Sequence, residues 1–203
     1  MSHRNEVDRF YADNMFHGYL EGLHLNENST IIDLGTYKGY STKFLSYLYK
    51  CKIYTFEPMP IFFNEAYMEC APFSNISVFP YALGTTNSSF LMNSSGDATS
   101  MFSNIEHASA IKCYVRDFFQ VLNEKNINKI DLLHVNIEGA EYDLLDYIFS
   151  KNFHLQIKYL IVQFHYQNPV NDEKIKRYTD ILNKSHTCNY NYNYVWTKWT
   201  LND

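Results

Sequence analysis

The four cysteines of this chain, Cys51, Cys70, Cys113 and Cys188, are scattered, and no two of them are spaced as C-x-x-C. Neither a zinc knuckle nor a disulfide framework is implied, so reduced structural thiols are expected. The chain also lacks any run of Lys or Arg and carries a formal charge of −5. That argues against an extended footprint for nucleic acid. No stretch approaches the roughly 20 apolar residues of a membrane span. The start "MSHRNEVDRF" holds no apolar core of signal-peptide length. A cytoplasmic protein without a membrane span is expected. What remains, 46% hydrophobic and 19% charged residues over 203 positions, suits one globular domain with a well-buried core.

Strand and helix patterns alternate along the chain. Residues 6–22 place Val7, Phe10, Tyr11, Met15 and Tyr19 at helical spacing, so 1–28 reads as a helical extension ahead of the main fold. "STIIDL" (29–34) predicts a buried strand and 40–49 a helix; "KIYTF" (52–56) predicts a second strand, then a helix over 61–69. "NISVFPYAL" (75–83) predicts a third strand, followed by a hairpin and a long polar loop over 84–110. "IKCYV" adds a strand and "VRDFFQVLNE" a helix. "IDLLHVNIEGAEYDLLDYIF" starts as a buried strand (130–137), breaks at Gly139 and continues as a helix. A fifth strand over 158–166, a helix over 172–183 and an aromatic edge hairpin complete the pattern. Such alternation predicts an α/β fold, with a mostly parallel sheet covered by helices on both faces.

Ligands of such sheets bind beyond the carboxyl ends of the strands, and "IIDLGTYKGYS" (31–41) puts Asp33, Gly35 and Gly39 there. The pattern D-x-G-x-x-x-G lacks the middle glycine of a dinucleotide loop, and Gly39-Tyr40-Ser41 lacks the lysine of a Walker loop. A nucleoside ligand without a phosphate chain fits better, and S-adenosylmethionine is the common one on this sheet. Glu57 ends the second strand 24 residues after Asp33. It either accepts both ribose hydroxyls or caps the following helix.

Three segments, "IIDLGTYKGYSTKFL", "YTFEPMPIFFNEA" and "IDLLHVNIEGAEYDLLDYI", together resemble the FkbM family of methyltransferases. "VFPYALG" and "YVRDFFQVL" between them are similar to the same family, and the resemblance spans roughly 29–166. It implies a class I methyltransferase (Rossmann-like) sheet, S-adenosylmethionine as cofactor, and O-methylation of a sugar or polyketide hydroxyl. Two departures stand out. The family's L-K-I-D-x-E-G-A-E reads here with His134 and Asn136, and Gln163 stands where the family often has Glu. Losing the aspartate removes a possible metal ligand, so a role for a divalent metal is left open.

Methyl transfer to a weak hydroxyl nucleophile calls for a general base beside the methyl group. His165, in "QFHY", and Glu138, directly after the fourth strand, are the two candidates. Each also has a structural reading, a hydrogen-bonded strand end for His165 and a helix cap for Glu138. Glu141 reads as a first-turn helix carboxylate, and His134 as a packing or hydrogen-bonding residue. Expected cofactor contacts are Asp33, Gly35, Thr36, Tyr37, Gly39, Tyr40, Ser41, Glu57 and Asn136, with Pro58 and Met59 on the adenine. Tyr81 and Ala82 are placed at the third strand's end, and Ser100 in a polar loop over 93–104 that is long enough to act as a lid. The expected function is O-methylation of a sugar hydroxyl on a glycan or glycosylated metabolite, with this chain as one domain of a larger glycan-building enzyme in one version. Two rivals are a nicotinamide-dependent oxidoreductase and a non-catalytic module that binds cofactor or glycan.

Overall fold

The computed structural model describes residues 3–93 and 110–203. Helices α1 (His3–Ala12) and α2 (Met15–Gly18) come first, then β1 (Thr30–Leu34), α3 (Tyr40–Tyr49), β2 (Lys52–Phe56) and α4 (Pro60–Cys70). Strands β3 (Ile76–Phe79), β4 (Ala82–Gly84), β5 (Ser88–Asn93) and β6 (Ala110–Asp117) follow, and then α5 (Phe118–Glu124). The chain ends with β7 (Ile130–Val135), α6 (Glu141–Ser150), β8 (Ile157–Val162), α7 (Val170–Leu182), β9 (His186–Tyr192) and β10 (Trp196–Leu201). The main sheet has seven strands in the order β3-β2-β1-β7-β8-β10-β9, and β4-β6-β5 make a second, smaller sheet. β3, β2, β1, β7 and β8 run parallel, and β10 and β9 add an antiparallel hairpin. The expected α/β architecture is observed.

Central strands buried on both faces read as unbroken apolar runs, because both sets of alternating side chains need apolar partners. Ile32, Leu34, Leu133 and Val135 pack with α5, α6 and α7 on one face. Ile31, Ile53, Leu132 and Ile161 pack with Leu45 of α3 and with Leu20 and Leu23 on the other. The strand order reverses at β1, with β2 on one side and β7 on the other. That switch point opens a crevice at the strands' carboxyl ends.

Asp33 lies in register with Thr55 on one side and His134 on the other. It is fully buried. His134 Nδ1 lies 2.7 Å from one carboxylate oxygen, and the hydroxyls of Thr42 and Thr55 donate to the other. Burial alone would raise this carboxyl, but those hydrogen bonds and the nearby imidazole hold it below its usual range. The His134 ring stacks on Trp196 with centroids 5.0 Å apart, so the network ties the sheet's centre to its hairpin.

Three expected boundaries are corrected. The helix expected over 6–22 divides, because Asn14 takes a left-handed conformation with φ 56° between α1 and α2. The strand expected over 75–83 also divides. Pro80 has no amide hydrogen to extend the ladder, so β3 stops at Phe79 and Ala82 restarts beside β6 in the small sheet. The strand expected to reach 166 ends at Val162, level with Val135 where its partner, expected over 130–137, also ends, and residues 163–166 form a loop. No helix among the described residues is long and apolar enough to cross a membrane.

Replacing Asp33 with Ala removes the buried acceptor shared by His134, Thr42 and Thr55, so Asp33→Ala is expected to lower unfolding free energy by about 3 kcal/mol. Because the folded carboxyl is held low, its contribution stands above the unfolded value near pH 4 and is lost as pH falls through the folded one. Urea titrations at pH 7 check this, and a loss well under 1 kcal/mol contradicts it.

Candidate active site

A cleft of about 250 Å³ lies at the carboxyl ends of β1, β2 and β7, and Gly35, Tyr37, Glu57, Pro58, Asn136 and Glu138 line it. The small sheet supplies its roof through Ala82, Leu83, Phe90 and Met92. Gly35 is required here: it has φ +80°, and a Cβ would stand 1.8 Å from the carbonyl oxygen of Asn136. The two strand ends approach so closely that only a hydrogen fits between them.

Glu57 closes one end of the cleft. One of its carboxylate oxygens accepts the Tyr37 N–H and the other the Met59 N–H, each at 3.0 Å. Burial, with a smaller push from Asp33, raises this carboxyl to about 7 in spite of both donors. Asn136 faces the cleft from the β7 side, and its side-chain oxygen is buried without a partner in the protein. A buried acceptor open to a cleft can take a donor from water or from a ligand.

A second cleft, of about 600 Å³, lies between the N-terminal helices, the loop after β8 and the start of β10. His165 belongs to this cleft and Glu138 to the first, and the two side chains approach to 3.5 Å between Nε2 and Oε1. Glu141, fully buried at the first position of α6, holds the arrangement together. One of its oxygens accepts the Gly139 N–H at 2.8 Å. The other accepts the His165 N–H at 2.7 Å and lies 3.2 Å from His165 Nδ1. A carboxylate can only accept, so Nδ1 donates to Glu141, while Nε2 faces the Glu138 carboxylate. Tyr142 donates its hydroxyl to the His165 carbonyl at 2.9 Å, which fixes the loop from the other side. Burial would lower the imidazole's pKa, but the Glu141 hydrogen bond and the Glu141 and Glu138 charges outweigh it and leave His165 raised.

The sequence expectations divide at this point. Gly35, Tyr37, Glu57, Pro58, Ala82, Asn136 and Glu138 meet at the first cleft, and His165 reaches it only through Glu138. Asp33 lines neither cleft, because side chains alternate along β1 and Leu34 takes the cleft face. Thr36 is buried against the Thr42 hydroxyl. Gly39 makes room for α4: its Cβ would meet Cys70 and Ala66 at 3.1 and 3.3 Å. Tyr40 is exposed on α3 and, like Ser41, lies outside both linings. Met59 packs with Met92 and Cys113 under the small sheet, and Tyr81 sits beneath the Arg116 guanidinium. Ser100 and most of the expected 93–104 loop fall outside the described residues. The role of Glu141 as holder of His165 and the aromatic cleft were not foreseen. The acidic pair in I-E-G-A-E was the available signal for Glu141. Among the described residues, no group of three or more His, Cys, Asp or Glu is placed to hold a metal ion.

Comparison with known proteins agrees with this geometry. The family described as Methyltransferase FkbM domain matches residues 33–194. No curated protein matches the chain. Among solved structures, an rRNA methylase from Streptococcus thermophilus superposes with a TM-score of 0.57 at 12% identity, over 93% of this chain and 95% of that one. A methyltransferase from Streptococcus mutans, solved in complex with SAH, gives 0.57 at 15% identity over 94% and 97%. The fibrillarin pre-rRNA processing protein of Methanococcus jannaschii gives 0.52 at 15% identity over 93% and 74%. At these identities the likeness establishes a class I methyltransferase fold.

Removing the Glu141 charge while keeping its shape, as in Glu141→Gln, is expected to lower the His165 pKa, because burial would then meet less opposition. An NMR titration of the imidazole protons checks it, and an unchanged or higher value contradicts the assigned role.

Proposed function

This chain belongs to the FkbM methyltransferase family, and from that premise we propose that it moves a methyl group from S-adenosylmethionine to the hydroxyl of a sugar. The observation that carries the proposal is the junction of the two clefts, where a base in one meets the carboxylate lining the other. S-adenosylmethionine fits the first cleft by its chemistry. It brings an ammonium for the open Asn136 oxygen, two ribose hydroxyls for the Glu57 carboxylate, and a flat adenine for the apolar wall of Pro58, Phe62, Leu83 and Phe90.

The cofactor supplies an electrophilic methyl on a sulfonium, so transfer breaks one C–S bond, forms one C–O bond and releases the hydroxyl proton. The protein contributes position and a proton acceptor. His165 Nε2 takes the proton, and Glu138, 3.5 Å away, stabilises the imidazolium that forms. Glu141 keeps Nδ1 protonated and the ring aimed. The base works only while neutral, so the rate rises with pH through the raised His165 pKa. The acidic chain, and linings of both clefts that hold no Lys or Arg among the described residues, favour an uncharged acceptor over an RNA.

Incubation with S-adenosylmethionine and simple methyl glycosides, read by mass spectrometry, tests the proposal directly. A product heavier by one methylene supports it. Failure to bind S-adenosylhomocysteine at millimolar concentration overturns it. His165→Ala is expected to lower kcat by about 10²–10⁴-fold while S-adenosylhomocysteine affinity stays unchanged. A Glu57→Ala change is expected to weaken that affinity by roughly 10–100-fold. Because the Glu57 carboxyl sits at about 7 in the free protein, binding selects its ionised form. Affinity should therefore fall as pH drops below neutrality, with proton release on binding, and calorimetry in buffers of different ionisation enthalpy measures both. A Glu57→Gln variant should show no such slope.

A further inference from the structure

Tyr54, Phe79 and Tyr81 form a row along the β3 side of the main sheet. Tyr54 and Phe79 stack with centroids 6.3 Å apart, and Phe79 and Tyr81 lie 5.7 Å apart. Each ring of the row carries a cation. Lys52 Nζ lies 5.1 Å from the centroid of Tyr54, Lys125 Nζ 3.8 Å from that of Phe79, and Arg116 Cζ 5.3 Å from that of Tyr81. A shallow groove of about 450 Å³ continues from Tyr81 and Arg116 past Ser88 to Tyr114. The Tyr114 ring is 55% exposed, and Lys112 Nζ lies 5.5 Å from its centroid. Four cations far apart in sequence are thus gathered on one side of a chain whose net charge is −5. Among the described residues, Glu124 is the one carboxylate that pairs with any of the four, 2.6 Å from Arg116. Lys125 registers the crowding: burial lowers its pKa, and the charges of Arg116 and Lys52 oppose the raising effect of Glu124. Like charges held together with so little counter-charge favour an anion.

We propose that this strip is a binding site for an acidic glycan strand, whose carboxylates meet Lys52, Lys125, Arg116 and Lys112. It goes beyond the methyl-transfer reading and does not depend on it, because none of these residues lines either cleft. The Arg116 guanidinium presents a planar fork that matches a carboxylate. Its partly exposed pair with Glu124 is of the weak kind that an arriving carboxylate displaces. Hydroxyl groups between the charges find the Ser88 and Tyr114 hydroxyls in the groove. They also find the outer edge of β3, the last strand on its side of the main sheet, where backbone groups are open to a partner. A single-stranded nucleic acid would instead need open ring faces for its bases. Here a cation already lies over each ring, so charge and hydroxyl contacts are what the strip offers.

The test uses the full chain and no cofactor, so it stands apart from turnover. Decagalacturonate, a neutral dextran oligomer and decauridylate are each titrated into the protein by calorimetry at low ionic strength. The expected result is saturable binding of decagalacturonate alone, weakening steeply as sodium chloride is raised to about 0.2 M. Lys52→Gln/Lys125→Gln is expected to weaken it by about tenfold. Lys176→Gln/Lys184→Gln, at two exposed positions on and just after α7, removes the same net charge and is expected to leave it unchanged. Glu124→Gln frees Arg116 and is expected to tighten binding by about threefold. A gain of this kind does not arise from a damaged fold. No binding of decagalacturonate overturns the proposal, and so does an equal loss in the two lysine pairs, which would mark an effect of net charge only. Decauridylate bound as tightly as decagalacturonate overturns the assignment to a glycan, and weaker binding by Glu124→Gln contradicts the role of Arg116.

Discussion

A single buried carboxylate, Glu141, holds together the parts of this molecule on which chemistry depends. It receives one N–H from the turn after β7 and one from the loop after β8, and it fixes the His165 ring as well. Burying a carboxylate in a protein core is unfavourable unless donors replace the lost water, and here three are arranged to do so. The consequence is that two loops from different strands cannot move independently. The cleft lined by Glu138 and the cleft containing His165 are therefore joined rigidly at one point. Tyr142, the next residue on α6, repeats the constraint through the His165 carbonyl.

A second constraint, at the close approach of β1 and β7, shapes the first cleft. Gly35 sits so near the Asn136 carbonyl that any side chain would push the strand ends apart. The glycine was visible in the sequence, but its reason was not: the space is taken by the protein's own backbone as much as by a ligand. Gly39 makes the same point more strongly. It reads as a ligand-approach glycine, and in the fold it is pressed against Ala66 and Cys70 of α4. Spacing identifies which residues have no room for a side chain, and only the fold says what occupies that room.

Much of the fold was legible because fully buried strands and amphipathic helices leave strong periodic signals. The helix at 40–49 and the strand at 52–56 carry the bounds their patterns imply. Harder to read was the face each residue takes. In "IIDL" both faces of the strand are buried, so apolar periodicity could not tell whether Asp33 or Leu34 meets the cleft. Pairing with His134 across β7, a contact 101 residues away in sequence, settled that Asp33 belongs to the core. The second cleft was illegible for a related reason. Val7, Phe10, Tyr11, Met15 and Tyr19 look like the buried stripe of one long helix, but the helix breaks at Asn14 and Tyr11 lies exposed.

Charge around the first cleft bears on a departure from the family pattern. Glu57 and Glu138 line the cleft, and Glu141 and Asp33 lie just behind it. Negative charge suits a ligand carrying a sulfonium and an ammonium, but it also raises the cost of ionising each neighbour. Glu57 already feels this, since Asp33 adds to the burial that lifts its carboxyl to about 7. An aspartate at 136, as the family usually has, would add another carboxylate to the same crowded space and push Glu57 further toward its neutral form. Asn136 keeps a buried acceptor oxygen at this position without adding that charge, and so does not press Glu57 further toward its neutral form.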